Sequence, residues 1–254
     1  MTHSPDSITT SLQRLAGALQ QTANQLGLPR LGAQIVDETA RRTGQARLRV
    51  LVLGEIKQGK STLLNAVLGE TLLPTGVTPT TGAVVQIVHG AATSRVLVGS
   101  TGAREELAPE RFAELARGKL PFDGHLVVTT ASPHLPPSLE LIDTPGINDM
   151  ERLRSLVARG ELPRGDALVV VLDATQVLKR TELAFLRDAL IAVGGLEGTG
   201  ATLLLAVNRI DLVPEAERAA VLGHIQAGLS AMLPGALEIF TTDARGAMKT
   251  PDAD

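Results

Sequence analysis

The chain has 254 residues, 44% of them apolar, with no cysteine, tryptophan or tyrosine and a formal net charge of −3. The absence of cysteine excludes disulfides and thiolate metal sites, and the mildly acidic balance without a basic block argues against a nucleic-acid-binding protein. The N-terminal segment lacks a secretory signal, and no apolar run reaches the ~18 residues of a transmembrane helix, so we expect a cytoplasmic protein.

Two helices are predicted over residues 7–43, before the first strand. Apolar residues recur there at the spacing of one helical face, namely at Ile8, Leu12, Leu15, Leu19 and Leu26. The sequence GLPR at 27–30 interrupts the pattern. We expect N-terminal helices at 1–46 and a main domain at 47–250. The apolar stripe needs cover, either from that domain, from a separate helical partner or from a second chain.

From residue 47 onwards, strands alternate with helices. The predicted strands cover 47–53, 82–89, 94–100, 125–130, 138–143, 166–173, 201–208 and 236–242. Helices are predicted from Ser61, near 109–117, around 150–159, and over 181–192 and 214–232. Several strands are apolar on both faces, which predicts an α/β fold with three layers and a mostly parallel sheet. The strands between 82 and 130 lack full-length helices between them, so we expect an antiparallel addition at one edge.

The sequence GEIKQGKS at 54–61 matches the phosphate-loop pattern G-x-x-x-x-G-K-[ST]. Glycine permits close backbone approach to an anion, and the loop N–H groups and the helix N-terminus then face it. Lys60 is predicted to reach the β- and γ-phosphates, and the Ser61 hydroxyl to bind Mg²⁺. The predicted nucleotide contacts in this loop are Gly54, Gln58, Gly59, Lys60, Ser61 and Thr62.

Two further stretches suit the metal and the γ-phosphate. Asp143 ends a buried predicted strand and would hold Mg²⁺ through water, while the N–H of Gly146 would sense the γ-phosphate. The loop LLPTGVTPTTGAVV at 72–85 carries threonines, one of which would complete the Mg²⁺ shell and hold the attacking water with its carbonyl. The residues alone do not decide which threonine of this loop takes the role.

The base is predicted to be guanine. Asn208 and Asp211 follow a buried predicted strand, and the Asp211 carboxylate would accept from both guanine N1–H and N2–H₂. Adenine would leave that carboxylate unpaired, a costly mismatch. A backbone amide in FTTDARGA, best placed at Ala244, would meet guanine O6. These motifs follow predicted strands at the edge where open α/β sheets bind ligands, so GTP or GDP with Mg²⁺ is the expected cofactor set.

These residues resemble the GTPase domain of the dynamin superfamily, specifically bacterial dynamin-like proteins. The resemblance covers about 47–247 and rests on GEIKQGKSTLLNAVLG, LLPTGVTPTT, LELIDTPGIND, DALVVVLDA and NRID. It implies a P-loop GTPase, with Thr81 as the switch threonine and Thr80 as its neighbour. The residues implied in recognising the base are Asn208, Arg209, Asp211, Asp243, Ala244 and Arg245.

The resemblance also implies partners. Such GTPases pair their GTPase domains across the nucleotide, and pairing stimulates hydrolysis. The helices at 7–43 resemble the family's N-terminal helices, which join later helices in a neck bundle. Dynamin-like proteins continue with a helical stalk and a membrane-binding tip, so we expect this chain to be either a fragment or a reduced protein. Association with the inner membrane face is implied only for a longer parent.

Three positions depart from the common pattern. Arg209 stands where the base motif usually has lysine, and Ile147 follows DTPG where Ras-type GTPases have the glutamine that orients water. Lys57 occupies the position at which the similar guanylate-binding proteins carry an arginine finger. We therefore expect Lys57 to be either a cis cation that folds onto the phosphates or a solvated surface lysine.

Three functions fit these observations. The first is a Mg²⁺-dependent GTPase with Lys57, Lys60, Thr81 and Gly146 in catalytic roles and with Ser61, Thr81 and Asp143 around the metal. The second is a nucleotide-gated interaction switch with negligible turnover, favoured by the missing glutamine. The third, a ribosome- or tRNA-associated GTPase, is disfavoured by the acidic charge balance.

Overall fold

A computed structural model describes residues 5–42, 47–76, 82–145, 165–176, 178–179, 182–184, 186–187, 202–230 and 238–249. The chain divides into two units, Met1–Arg47 and Leu48–Asp254, each with its own internal contacts. They are described separately below.

The first unit is a helical hairpin of α1 (Pro5–Gln25) and α2 (Pro29–Arg42). The chain reverses at Gly27, whose φ of +74° favours glycine, and α2 then begins at a proline, the residue type that best tolerates the first helical position. Ala16 and Ala23 are buried, whereas Leu15 and Leu26 are 57% and 70% exposed. The predicted leucine stripe therefore faces outwards.

The second unit is built on a nine-stranded sheet. Its strands are β1 (Leu48–Leu53), β2 (Val85–His89), β3 (Ser94–Val98), β4 (Arg104–Glu106), β5 (His125–Thr130), β6 (Leu139–Asp143), β7 (Ala167–Asp173), β8 (Thr202–Asn208) and β9 (Glu238–Thr242). The order across the sheet is β4-β3-β5-β2-β6-β1-β7-β8-β9. The five strands from β6 to β9 in this order are mutually parallel. Their carboxyl ends therefore share one edge.

Apolar side chains on both faces of the sheet form two cores. Alternate residues of a strand point to opposite faces, so Leu51 and Leu53 join one core and Val52 the other. The helices of this unit include α3 (Lys60–Leu68), α4 (Pro109–Ala116), α5 (Glu215–Ser230) and α6 (Ala244–Ala247), with a 3₁₀ turn at Ile210–Leu212. Helix α5 supplies Ile225 to the first core, and α4 supplies Phe112 to the second. The predicted α/β fold is confirmed.

The antiparallel edge is also as predicted. Strand β2 runs antiparallel to β6, and β3 runs antiparallel to both β5 and β4. Strand β4 was not predicted, because its residues, Arg-Glu-Glu, are polar and show no apolar alternation. Within the helix predicted at 181–192, residues 182–184 and 186–187 are helical. The helix predicted at 150–159 lies outside the described residues.

Candidate functional site

The phosphate loop between β1 and α3 depends on its two glycines. Gly54 has a φ of +153° and Gly59 a φ of +95°, and both values favour glycine. A Cβ on Gly54 would lie 2.6 Å from the side-chain oxygen of Gln58 and 2.6 Å from the carbonyl of Val171, and one on Gly59 would collide with the Asn208 amide. Any side chain at these two positions would collide with its neighbours. Because glycine has no side chain, the loop backbone can approach an anion closely at the N-terminus of α3.

Lys60 is a buried cation at the start of α3. Its Nζ donates to the carbonyls of Gly54 and Glu55, at 2.9 and 3.0 Å, and the residue is 5% exposed. Burial lowers the pKa of Lys60 to about 8, although the carboxylates of Asp143 and Glu55 oppose the shift. An arriving phosphate would favour the protonated form of this amine.

Ser61 and Asp143 form a buried oxygen pair beside Lys60. The hydroxyl of Ser61 donates to Oδ2 of Asp143 at 2.7 Å, and the two residues are 5% and 1% exposed. Hard oxygen donors suit Mg²⁺, which usually takes one or two protein ligands and completes its shell with water and phosphate. In the described part of the chain, no three His, Cys, Asp or Glu residues cluster as a metal cage. The residues present therefore fit Mg²⁺ held jointly with a nucleotide.

Asn208 joins three segments at the end of β8. Its Nδ2 donates to the carbonyl of Gln58 at 3.0 Å, and its Oδ1 accepts from Thr242 Oγ1 and from the backbone N–H of Ala244, both at 3.2 Å. The phosphate loop is thereby tied to the loop after β9. The Ala244 amide, predicted to meet guanine O6, is held by Asn208 in this structure.

Arg209, in the place of the usual lysine, bridges two loops. Its guanidinium donates to the carboxylate of Asp173, at the end of β7, and to the backbone carbonyl of Lys57 at 2.6 Å. Arg209 and Lys57 both adopt positive φ values, 64° and 71°, which are uncommon for residues with a side chain. The Lys57 side chain is exposed, while its backbone is fixed by Arg209.

The remaining base-recognition residues are more accessible. Asp211 lies in the 3₁₀ turn and is exposed, as is Arg245 in α6. Asp243 caps α6, because its Oδ1 accepts from the N–H of Gly246 at 2.7 Å. All three line the same cavity as Gly59, Lys60 and Ser61, which brings these predicted phosphate and base residues together. Among the described site residues, Gly54, Gln58, Asp143 and Ala244 do not line it.

That cavity has a volume of about 680 Å³, within the usual range for small-molecule sites. Among the described residues that line it, cationic side chains outnumber acidic ones; the cations are Lys57, Lys60, Arg209, Arg245 and Lys249, and the acidic residues are Asp211 and Asp243. This charge balance suits a polyanionic ligand. Thr62 also lines the cavity. Thr80, Thr81 and Gly146 lie outside the described residues.

Sequence reasoning missed three residues that shape the site. Asp173 pairs with Arg209, and buried Glu182 accepts from Gln58. The Asn65 side chain accepts from the N–H groups of Leu72 and Leu73, fixing the start of the loop with the threonines. The sequence signal that could have identified Asp173 was its place at the end of an apolar strand. For Asn65, the signal was a polar residue on the buried side of α3. Glu182 had none.

The fold and the site together define a P-loop GTPase domain. Residues 50–195 match the family model described as the dynamin family. The chain belongs to this family.

Three curated relatives illustrate the similarity. A bacterial dynamin-like protein from Nostoc punctiforme is 29% identical over 67% of this chain, and the isoniazid-induced protein IniC from Mycobacterium tuberculosis is 33% identical over 80%. A probable chloroplastic transmembrane GTPase, FZO-like, from Arabidopsis thaliana is 32% identical over 54%. The matches cover only 26%, 39% and 13% of these relatives, respectively, so the chain spans less than half of each.

Solved structures support the fold. One from an oligomerised bacterial dynamin pair, described as a mechanism for long-range sensing and tethering of membranes, covers all of this chain and has a TM-score of 0.65 at 14% identity. The match takes in 41% of that protein's chain. None of the helices in the described ranges is both long and apolar enough to cross a bilayer.

Proposed function

We propose that this chain binds GTP and hydrolyses it to GDP and phosphate in a Mg²⁺-dependent reaction. The observation that carries the proposal is that Lys60, Ser61 and Asn208 line one cavity, with Asp143 hydrogen-bonded to Ser61. Membership of the dynamin family supports it. Phosphoryl transfer requires mainly positioning and charge neutralisation, which these groups supply.

The phosphate end of the cavity would hold the triphosphate. The N–H groups of Gly59, Lys60 and Ser61 lie at the start of α3, where the helix dipole favours negative charge. Lys60 would exchange its two loop carbonyls for phosphate oxygens. Bound Mg²⁺ would neutralise charge on those oxygens, with Ser61 and Asp143 as the protein groups nearest to it.

The base end would select guanine. The exposed Asp211 carboxylate would accept from N1–H and N2–H₂, and the long stem of Arg209 would cover the ring. Recognition of O6 would fall to the segment Asp243–Arg245. Since Ala244 N–H now donates to Asn208, base binding would require this amide to exchange its partner.

Hydrolysis would draw on residues near the γ-phosphate. We assign the switch threonine to Thr81, with Thr80 as the alternative, and the γ-phosphate sensor to Gly146. Lys57 lies at the cavity with its side chain exposed, so it can reach towards phosphate oxygens without disturbing the core. We assign it the role of a cis cation, worth ~10³-fold in rate or more when correctly placed.

Self-association would stimulate this activity. The proposal includes face-to-face pairing of domains across the nucleotide, with 47–250 as the GTPase domain and 1–46 as a helical segment that pairs with other helices. The oligomeric bacterial dynamin pair supports pairing in this family. A longer protein containing this chain would act at a membrane surface, which sedimentation of that protein with and without liposomes would test.

The first experiment is GTP hydrolysis per molecule over a wide range of protein concentration, with Lys60→Ala as the blank. We expect specific activity to rise with concentration, because paired domains complete the site. Flat activity at the level of the blank, with GTP still bound, would instead identify a nucleotide-gated switch. Retention on RNA at moderate salt would favour a translation-associated GTPase.

The Lys57 role has its own test. In the concentrated, paired state, Lys57→Ala is expected to lose most of the stimulated rate, while Lys57→Arg retains a cation and much of the rate. Binding of GDP should change little in either variant, because the loop contact to Arg209 uses the Lys57 backbone. Wild-type stimulated turnover by Lys57→Ala would leave Lys57 as a solvated surface residue.

A further inference from the structure

Glu182 is a buried carboxylate that contacts the phosphate loop. It lies in the helical segment after β7 and is 4% exposed. Its Oε1 accepts a hydrogen bond from Nε2 of Gln58, a residue of the phosphate loop that is itself 5% exposed. Neither Glu182 nor Gln58 lines the proposed nucleotide cavity, but Lys57 and Gly59, the residues on either side of Gln58, do. The connection of Glu182 to the site therefore runs through Gln58 and the loop backbone.

Gln58 transmits this contact to the rest of the loop. Its Oε1 accepts from the backbone N–H of Glu55 at 2.6 Å. The Gln58 side chain therefore connects the two ends of the segment Glu55–Gln58 within the loop. Its carbonyl accepts from Asn208 at 3.0 Å, which connects the same residue to the base-recognition loop. Because the amide of Gln58 has one oxygen and one nitrogen, the bond to Glu182 fixes which end faces Glu55.

We propose that Glu182 is a positioning residue for nucleotide binding, which sets the phosphate-loop backbone through Gln58. This inference rests on the proposed GTP-binding function of the same site. The Glu182 oxygen accepts from the Gln58 nitrogen, which leaves the Gln58 oxygen to accept from the Glu55 N–H. The loop N–H groups are then held in place before the phosphates arrive, which lowers the ordering cost of binding.

The surroundings of Glu182 support a role beyond stability. Burial raises the pKa of Glu182, and the carboxylate of Glu55 raises it further, while the hydrogen bonds from Lys179 and Gln58 oppose the shift. The fold therefore keeps an acidic group where its charged form is disfavoured. Titratable groups whose pKa is shifted by burial and by a neighbouring charge cluster at functional sites.

The test measures equilibrium binding of a fluorescent GDP analogue to the full chain, alongside thermal unfolding. We expect Glu182→Ala and Glu182→Asp to bind about tenfold more weakly, because alanine lacks the acceptor and aspartate is one methylene too short. Glu182→Gln keeps an acceptor oxygen in place and should stay within about threefold of wild type. Near-wild-type binding by Glu182→Gln, which has the shape of glutamate without its charge, would indicate positioning. A general electrostatic effect would instead be lost in this variant.

A double-mutant cycle tests the route through Gln58. If Glu182 acts through that side chain, Gln58→Ala combined with Glu182→Ala should bind no more weakly than Gln58→Ala alone. Glu140→Ala is the matched control, since Glu140 is a buried carboxylate paired with Arg49 away from the cavity. It should reduce thermal stability and leave binding unchanged.

Each result decides a different claim. Wild-type affinity in both Glu182→Ala and Glu182→Asp, with Lys60→Ala unable to bind, would overturn the role of Glu182 and leave the GTP-binding proposal intact. Additive losses in the cycle would overturn the route through Gln58. Failure of the wild-type chain to bind GDP at all would refute the proposed function and this inference together. If Glu182→Ala does not fold, Glu182→Asp and Gln58→Ala provide the same comparison.

Discussion

The two ends of the proposed nucleotide cavity differ in how far their polar groups are buried. At the proposed phosphate end, the lining residues Lys60 and Ser61 are each 5% exposed, and Asp143, which accepts from Ser61, is 1% exposed. At the base end, Asp211 and Arg245 are exposed. Both ends follow parallel strands of the same sheet, so the difference comes from the loops and not from the strands.

This difference separates two kinds of recognition. A buried cation and a buried carboxylate are costly unless each is hydrogen-bonded, so the phosphate end is organised before any ligand arrives. The exposed Asp211 carboxylate is solvated and changes partners at little cost. We therefore expect substitutions at the phosphate end to change catalysis or proton linkage, and substitutions at the base end to change nucleotide choice.

The largest expected effect concerns Ser61. Ser61→Ala removes the hydroxyl paired with Asp143, and GTP hydrolysis is expected to fall about 10²- to 10³-fold, with loss of its Mg²⁺ dependence. Ser61→Thr keeps a hydroxyl and should retain activity within a few fold. Titration of Mg²⁺ in a turnover assay measures both. An Ala variant with the wild-type Mg²⁺ response would remove Ser61 from the metal site.

The next effect lies at the base end. Asp211→Ala deletes the acceptor for two guanine donors, so GDP affinity is expected to fall about 10²-fold while weak ADP binding stays the same. The residue is exposed, and thermal stability should be unchanged. Competition between GDP, IDP and ADP measures the specificity, since IDP lacks the N2 amine. Equal losses for GDP and ADP would contradict a base contact.

A pH effect follows from the lowered pKa of Lys60, about 8 in the nucleotide-free chain. As pH rises through that value, the free protein loses the charge on Lys60, and binding phosphate must restore the proton. Nucleotide affinity should therefore be level below about pH 8 and fall above it, approaching tenfold per pH unit. Isothermal titration from pH 7 to 9 in buffers of different ionisation enthalpy would also show proton uptake.

Lys60→Arg is the control for that pH effect. Arginine stays charged over this range, so its pH profile should be flat even if binding is weaker overall. Because the guanine ring titrates in the same way with either protein, subtracting the Lys60→Arg profile isolates the contribution of Lys60. A parallel decline in wild type and Lys60→Arg would assign the pH dependence to the nucleotide.

The smallest expected effect concerns the bridge between the two ends. Asp173→Asn keeps the shape of the side chain and removes the charge facing Arg209, so GDP affinity should fall about fivefold, roughly 1 kcal/mol. The effect is modest because the Arg209 side chain is 38% exposed. In an Arg209→Ala background, the Asp173 substitution should have no further effect on affinity. Independent losses would show that Asp173 acts through another group.

The local features of the site were predictable from the sequence. The phosphate loop is contiguous, and its glycines, lysine and serine lie within eight residues, so pattern and context suffice to place them in the fold. The same holds for the apolar strands and for Asn208 and Asp211 at a strand end. Strand β4 was missed because its three residues are polar and exposed and show no hydrophobic pattern. They are a strand because they pair with β3.

What only the tertiary structure decided is how the loops hold one another. Gln58 and Glu182 are 124 positions apart in the sequence. Arg209 contacts both Asp173, at the end of β7, and Lys57, in the phosphate loop. These contacts depend on strand register, which sets Asp173 opposite Asn208 at the sheet edge. Amino-acid type and spacing determine which residues are predicted to bind phosphate and guanine. Their partners are determined by packing of distant segments, for which a single sequence carries no local signal.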